Sequence, residues 1–466
     1  MTAPPAAPTA DIGEILDHGP WALFQKAIVI LAALSIVLDG FDGQLIGFAI
    51  PVLIKEWGVS RGDFAPVVAA GLVGMAIGSG FAGYVGDRFG RRIAIIGSVF
   101  VFGAATCAIG LSTDLVTIGA LRFVAGLGIG GALPSATTMA AEYTPARRRT
   151  MAVTATIVCV PLGGMLAGVY AGHVLPTLGW RALFFIGGAL PLVLGVALLL
   201  ALPESPRFLA RRPARWPELA GLLQRMARPT TPDTVFTDRN EQRIEQRGGL
   251  PALFEPDRRR DTVAIWISFF LCLLAVYTAF SWLPTMLTSE GLDVAVAGSG
   301  LTAYNLGGVF GALICAQAIT RWGSRWPLAL CCLGGAASAV LLQAVPISST
   351  GLLIFGLAMH GLFVNAVQST MYALTAYVYP TNVRATGTAS ALAFGRFGAI
   401  LSAFIGAAAI TAGGAAAYLG ILGLAMAGCL VSLWLVRNHI PHPGRAGPAE
   451  APAIRPALQG SGDRPS

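Results

Sequence analysis

Charge is scarce in this chain. Only 12% of its 466 residues are Asp, Glu, Lys or Arg, against about 25% in a typical soluble domain. Lysine occurs twice, as Lys26 and Lys55. With 55% hydrophobic residues and a mean hydropathy of +0.70, this excludes an ordinary water-soluble globule. Cysteine offers neither pairing nor metal-ligand spacing. The seven Cys fall in apolar segments and read as buried thiols, so neither a disulfide framework nor a metal site is expected. No nucleophile and base stand at useful spacing, which argues against an enzyme, and no cofactor is expected. The first 26 residues lack the basic stretch of a secretory leader and carry acids ahead of the first apolar run.

What the chain does have is apolar runs of bilayer length, about 20 residues each. They predict an all-α integral membrane protein with 12 transmembrane helices: 27–49, 65–85, 93–111, 115–140, 151–172, 181–202, 262–283, 297–319, 327–347, 352–378, 386–410 and 414–436. With both termini cytoplasmic, the cytoplasmic segments hold 26 of the 31 Lys and Arg. The outer loops hold Lys55, Arg61 and Arg181, and Arg122 and Arg396 fall inside spans. The expected organisation is a cytoplasmic tail (1–26), a six-helix bundle (27–202), an Arg-rich cytoplasmic linker (203–261), a second six-helix bundle (262–436) and a disordered cytoplasmic tail (437–466). The few Lys beside many Ala, Gly and Arg hint at a GC-rich bacterial genome, hence an inner membrane. A monomer is expected.

The halves echo each other. "DRFGRR" at 87–92 aligns with "TRWGSRW" at 320–326, and "YTPARRRTMA" at 143–152 with "YPTNVRATGTA" at 379–389. The two offsets nearly agree, which indicates duplication of a six-helix unit. Parallel repeats suit a transporter whose site lies at the midplane between two bundles.

Intramembrane charges are costly and mark function or a helix-locking ion pair. Asp39 and Asp42, in "LDGFDGQLIGF", are three apart and so are expected on one helix face. Arg122 sits at a depth similar to Asp42 and is its candidate partner. Arg396 lies near the midplane with Asp39 and is a candidate clamp for an anion, because a guanidinium matches a carboxylate bidentately. Either Arg also fits a purely structural pair. Asp39 or Asp42 is the candidate proton carrier. Glu142, beside three arginines, reads as a relay or a plain helix-end ion pair. His360 reads as a relay member or a neutral, hydrogen-bonded core residue. In the second half Tyr277, Phe280, Tyr304, Asn305, Phe363, Asn365, Gln368 and Tyr372 bring amides and aromatic rings together, as a ring-bearing polar solute requires; interhelical bonding explains each singly. Trp21, Trp57, Trp180 and Trp282 lie at span ends and read as interfacial anchors.

"GYVGDRFGRR" at 83–92, "RFVAGLGIGGALP" from Arg122 and "PESPRFL" at 203–209 resemble signatures of the major facilitator superfamily. "DIGEILDHGP", "LDGFDGQLIGFAIP", "YPTNVRATG" and "AFGRFGAI" are similar to segments of its aromatic acid:proton symporters. The resemblance runs from residue 11 to about 436. It implies proton coupling through Asp39, Asp42, Glu142 and Arg122. Substrate contact is expected at Arg396, which the resemblance carries over, with Asp39 and, from the amide and aromatic pattern above, Tyr277, Tyr304, Asn305, Asn365, Gln368 and Tyr372 as candidate companions. It implies gating by Gly83, Asp87, Arg88, Gly90, Arg91, Arg92 and Arg384. The second-half loop departs from the pattern, with no Asp in "TRWGSRW". The expected function is proton-coupled import of a small aromatic carboxylate of hydroxybenzoate type. A proton-coupled exporter or a sugar porter of the superfamily is the alternative, since the loop motifs are shared. A non-transporting aromatic-acid receptor would need a signalling domain that neither linker nor tail resembles.

Overall fold

The computed structural model describes residues 9–231, 234–238, 250–380 and 383–442. Long apolar segments have one economical way to satisfy their backbone away from water, the α-helix, and helices dominate. They are α1 (Ile12–Asp17), α2 (Leu23–Trp57), α3 (Arg61–Phe89), α4 (Arg91–Ile109), α5 (Leu115–Glu142), α6 (Ala146–Ala201), α7 (Pro206–Ala210), α8 (Trp216–Arg225), α9 (Arg259–Ser289), α10 (Val294–Trp322), α11 (Arg325–Gln343), α12 (Thr350–Val378) and α13 (Arg384–Leu435). Ten are long and apolar enough to cross a membrane. Two of these are broken: α6 at Gly179 (φ 77°) and α13 at Gly413 and Gly414 (φ 56° at Gly414). Each break falls between two expected spans, so the ten helices make twelve crossings.

The duplication is visible in the backbone. Helix α2 ends on Gly58 (φ 63°) and α9 on Gly291 (φ 93°); α3 ends on Gly90 (φ 111°) and α10 on Gly323 (φ 75°). Both pairs are separated by the offset of the "DRFGRR" repeat. Within the first half α2 packs on α6, and α3 and α4 on α5; within the second, α9 packs on α13 and α10 on α12. Between halves the main contacts are α2 with α9, α3 with α13 and α6 with α10, with smaller ones between α2 and α10 and between α6 and α12.

The α3–α5 seam is closely packed. A Cβ at Gly74 would lie 2.2 Å from the Phe123 carbonyl oxygen, and one at Gly78 2.1 Å from that of Leu127. From the other side, Gly126 meets the Gly71 carbonyl at 2.2 Å and Gly130 that of Met75 at 2.1 Å. Small residues four apart on each helix let the backbones touch, the usual means of helix association in lipid.

Several expectations need correction. Helix α2 does not stop near residue 49 but continues through Pro51 to Trp57. In the tail before it, Thr9–Asp11 (β1) pairs in parallel with Val235–Thr237 (β2) of the linker, and Asp17 forms an ion pair with Arg149. These two short strands qualify an otherwise all-helical chain. Residues 437–442, expected in a disordered tail, are held by Asp261, which accepts from the Arg437 and Asn438 amides, and by Ser324, which bonds Ile440. The rest of that tail, 443–466, lies outside the described residues. Trp180 and Trp282 are not lipid-facing anchors. Trp180 is buried, donates to Glu56 and stacks edge-on against Trp57, while Trp282 is wholly buried against Gly406. Hydropathy places a residue at a span end but does not say which way it turns.

Gly78→Val should lower stability by about 2 kcal/mol or more through overpacking, read as a fall in Tm in detergent. Gly97→Ala, whose Cβ meets nothing within 4 Å, should leave Tm unchanged.

Candidate functional site

A cavity lies between the halves, framed by the helices that meet across them. Helix α2 contributes Asp39, Gly40, Gly43 and Gln44, α3 Met75 and α5 Arg122. From the second half α9 contributes Tyr277, Phe280 and Ser281, α12 Gln368, Ser369 and Tyr372, and α13 Arg396. The wall thus carries one acid, two guanidiniums, two amides and three aromatic rings.

Arg396 is held by neutral partners. Its Nη1 donates to the Tyr277 hydroxyl at 2.9 Å and lies 2.9 Å from the Met75 sulfur, which also accepts from Tyr277 at 3.3 Å. Its guanidinium forms no ion pair among the described residues. Asp39 faces the same cavity and is likewise without a hydrogen bond or ion pair among the described residues. The cavity therefore holds a cation and an acid that are not bonded to each other.

Asp42 does not join Asp39 on the cavity wall. Its carboxylate turns toward α4, where Oδ1 accepts from Thr106 Oγ1 at 2.6 Å, and Oδ2 has no partner. Three residues apart on a helix means about 60° of rotation, enough here to send one acid into the cavity and the other into the bundle. Nor do Arg122 and Asp42 form an ion pair. The Arg122 Nη2 donates to the Gly43 carbonyl at 3.3 Å and Nη1 lies 3.5 Å from the Asp42 carbonyl, so the guanidinium leans on the α2 backbone.

The other second-half candidates divide. Tyr277, Gln368 and Tyr372 line the cavity. Asn305 stands behind it, joined to Gln44 by two hydrogen bonds: Asn305 Nδ2 to Gln44 Oε1 at 2.7 Å, and Gln44 Nε2 to Asn305 Oδ1 at 3.2 Å. This amide pair ties the halves together. Tyr304 and Asn365 do not reach the cavity. Tyr304 is buried between Phe280 and His360, and Asn365 donates to the Gly361 carbonyl and packs on Gly308. Phe363 packs on Gly334 in the second half. His360 bonds Ser338 at 2.9 Å, inside the second half and off the cavity. Sequence reasoning missed Gln44, Met75 and Thr106. Gln44 carried a usable signal, as a polar side chain in an apolar helix beside two acids; Met75 and Thr106 carried none.

The loop residues assemble elsewhere, at the end of the first half next to the linker. Buried Glu204 is the node: it accepts from the Arg92 and Ser205 amides, and its own carbonyl accepts from the Tyr143 hydroxyl. Gly90 is required there, because a Cβ would sit 2.0 Å from the Glu204 carboxylate and the backbone has positive φ. Asp87 pairs with Arg91 at 2.5 Å, Arg88 donates to Tyr84 and its carbonyl accepts from Arg212, and Arg92 donates to the Leu199 carbonyl at 2.6 Å. Glu142 joins this node through Ser205 rather than the cavity. Every hydrogen bond of these loop side chains stays within the first half and the linker. Gly83 faces open space, with nothing within 4 Å of a Cβ built there. Arg384 donates to the Tyr379 carbonyl at 3.2 Å in the second half.

Comparison with known proteins agrees with this architecture. The sequence profile described as Major Facilitator Superfamily matches residues 32–298 and 265–460. A gallate transporter of Pseudomonas putida is 34% identical over 413 residues, 89% of this chain and 92% of that protein. The 4-hydroxybenzoate transporter PcaK of Pseudomonas aeruginosa is 35% identical over 417 residues, 86% of this chain and 90% of that one. The partially occluded inward-open structure of the xylose transporter XylE from E. coli superposes with a TM-score of 0.72 at 17% identity, covering 90% of this chain and 99% of that one, which is a likeness of fold. The matched profile, the relatives and the two packed halves agree: the chain is a transporter that belongs to the Major Facilitator Superfamily and, within it, to the aromatic acid:proton symporter family.

Proposed function

We infer that this transporter carries a small aromatic carboxylate of hydroxybenzoate type into the cell together with protons. The observation that carries the reading is Arg396: a guanidinium on the cavity wall whose hydrogen-bond partners are a phenol and a thioether. A half-buried cation within a membrane-spanning segment calls for an anion, and a substrate carboxylate supplies one with bidentate geometry. Tyr277, Phe280 and Tyr372 offer ring surfaces around it, and Gln368 offers an amide to a ring hydroxyl. A saccharide has no need of the guanidinium.

Asp39 faces the same space and is the natural site for a proton that travels with the substrate. Protonated, it lets a carboxylate approach without repulsion; ionised, it competes with the substrate for Arg396. Asp42, held by Thr106 and close to the Arg122 guanidinium, is the second coupling acid. Besides the Met75 contacts with Arg396 and Tyr277 at the cavity, the halves are clasped at three further points, Gln44–Asn305, Gly47–Phe280 and Gly168–Thr302. All three contacts lie toward the α2 end at Trp57, away from the loop node. This fits a state open on the loop side, and the excess of basic residues there supports reading that side as cytoplasmic. Alternating access then consists of opening that clasp and closing the loop side, where Gly83 and the Asp87–Arg91 loop lie on the face that must approach the second half. Glu142 serves the loop node, and His360 lies outside the path.

Cells expressing the chain should accumulate radiolabelled 4-hydroxybenzoate, and a protonophore should abolish the accumulation. Absence of uptake of any aromatic acid, with the protein shown to be in the membrane, overturns the substrate class.

Arg396→Lys keeps the charge but loses the fork. It should raise the KM for the acid by roughly tenfold or more, the worth of a charge-assisted hydrogen bond. An unchanged KM places the carboxylate elsewhere.

Asp39→Asn should abolish accumulation against a gradient while preserving exchange of labelled for unlabelled acid. Asp42→Asn should do the same. Uphill accumulation persisting in both variants removes these acids from coupling.

A further inference from the structure

Apart from the cavity, a pocket of about 550 Å³ opens where the chain enters α2 and α6. Trp21, Lys26, Arg147 and Arg148 line it, with His18 and Asp17 at its margin. The Lys26 ammonium lies 5.6 Å and the Arg148 guanidinium 5.5 Å from the centre of the same Trp21 ring. Two cations converging on one indole gain from its π face but repel each other. Asp17, the acid at the margin, is engaged by Arg149. Among the described residues, Lys26, Arg147 and Arg148 form no ion pair. The Trp21 Nε1 is shielded and finds no acceptor among the described residues. The pocket thus gathers three uncompensated cations and one idle N–H donor, a set complementary to a phosphate.

Its surroundings say which phosphate. Just past it on α2, Leu23 is 82% exposed, Ile30 59% and Leu34 43%, and Met151 on α6 is exposed beside them. Leucine exposed to that degree next to a Lys and a Trp marks the hydrocarbon–headgroup boundary. A ligand here has its phosphate against the cations and acyl chains along the α2 stripe. We propose that the Trp21–Lys26–Arg147–Arg148 pocket is a specific site for the headgroup of an anionic phospholipid. Basic pockets beside membrane helices are suited to this task. The site tethers the tail and the α6 start to the membrane, on the half that carries the loop node.

The full-length protein, delipidated in a neutral detergent, is titrated in three arms: dioleoyl phosphatidylglycerol, dioleoyl phosphatidylcholine and inorganic phosphate. Native mass spectrometry reads retained lipid, and thermal unfolding reads stabilisation. The wild type should retain phosphatidylglycerol about tenfold better than phosphatidylcholine. The triple variant K26Q/R147Q/R148Q should lose that preference, R148Q alone should lose part of it, and Arg260→Gln on the linker should keep it. Equal retention of both lipids by the wild type, or an undiminished preference in R148Q and the triple variant, overturns the proposal. Inorganic phosphate that stabilises the wild type as well as phosphatidylglycerol does, with the same variant sensitivity, identifies a soluble-anion site and overturns the lipid assignment.

Discussion

A charge inside a bilayer-spanning protein must look at something polar, and the fold is arranged around that constraint. Asp39, Asp42, Arg122 and Arg396 sit far from both helix ends, where snorkelling to the interface is out of reach. The chain provides three different accommodations. Asp42 takes a threonine hydroxyl from the neighbouring helix. Arg122 takes main-chain carbonyls of α2. Arg396 and Asp39 take the cavity itself, which lies where helices of the two halves meet.

The halves differ in how they are braced. In the first, carbonyl-to-glycine contacts between α3 and α5 leave no space for relative sliding, and Glu204 fastens the loop, the α5 end and the linker into one unit. The tail and linker add a strand pair and an ion pair on the same side. The second half is braced at Asp261 and Ser324, where residues 437–442 fold back. A site lined by two such rigid bodies changes shape mainly when the bodies move relative to each other, since packed interiors deform little.

Much of this was legible in the sequence because bilayer physics writes in large letters. Twelve apolar runs, the basic loops and the offset of two motifs foretold twelve crossings and a duplication, and the acids of α2 and the arginines at 122 and 396 stood out as charges among apolar neighbours. What was not legible depended on side-chain direction and on pairing over long sequence separations. Asp39 and Asp42 look like one face until neighbouring helices pull them apart. Asn365 and Gln368 look alike, yet only Gln368 reaches the cavity. Trp282 ends an apolar run and still turns inward. Thr106 and Met75 are unremarkable in sequence and gain their roles only from α2 and α13 lying beside them. Glu204 belongs to the "PESPRFL" motif, but its use as the acceptor for two backbone amides follows from the turn it sits in.

The Gln44–Asn305 pair has a consequence for energetics. It joins the halves with two uncharged hydrogen bonds, together worth about 2 kcal/mol net, a bias of roughly thirtyfold in population at 1.4 kcal/mol per decade. That is enough to favour one arrangement and too little to trap it. Amides neither titrate near neutral pH nor carry net charge, so parting them moves no gating charge through the membrane field. Acidity and voltage would then reach the balance between the two openings through charged groups such as Asp39 and Arg396 on the cavity wall and Asp42 behind it, leaving the clasp as a fixed spring that sets the resting position without sensing the driving force.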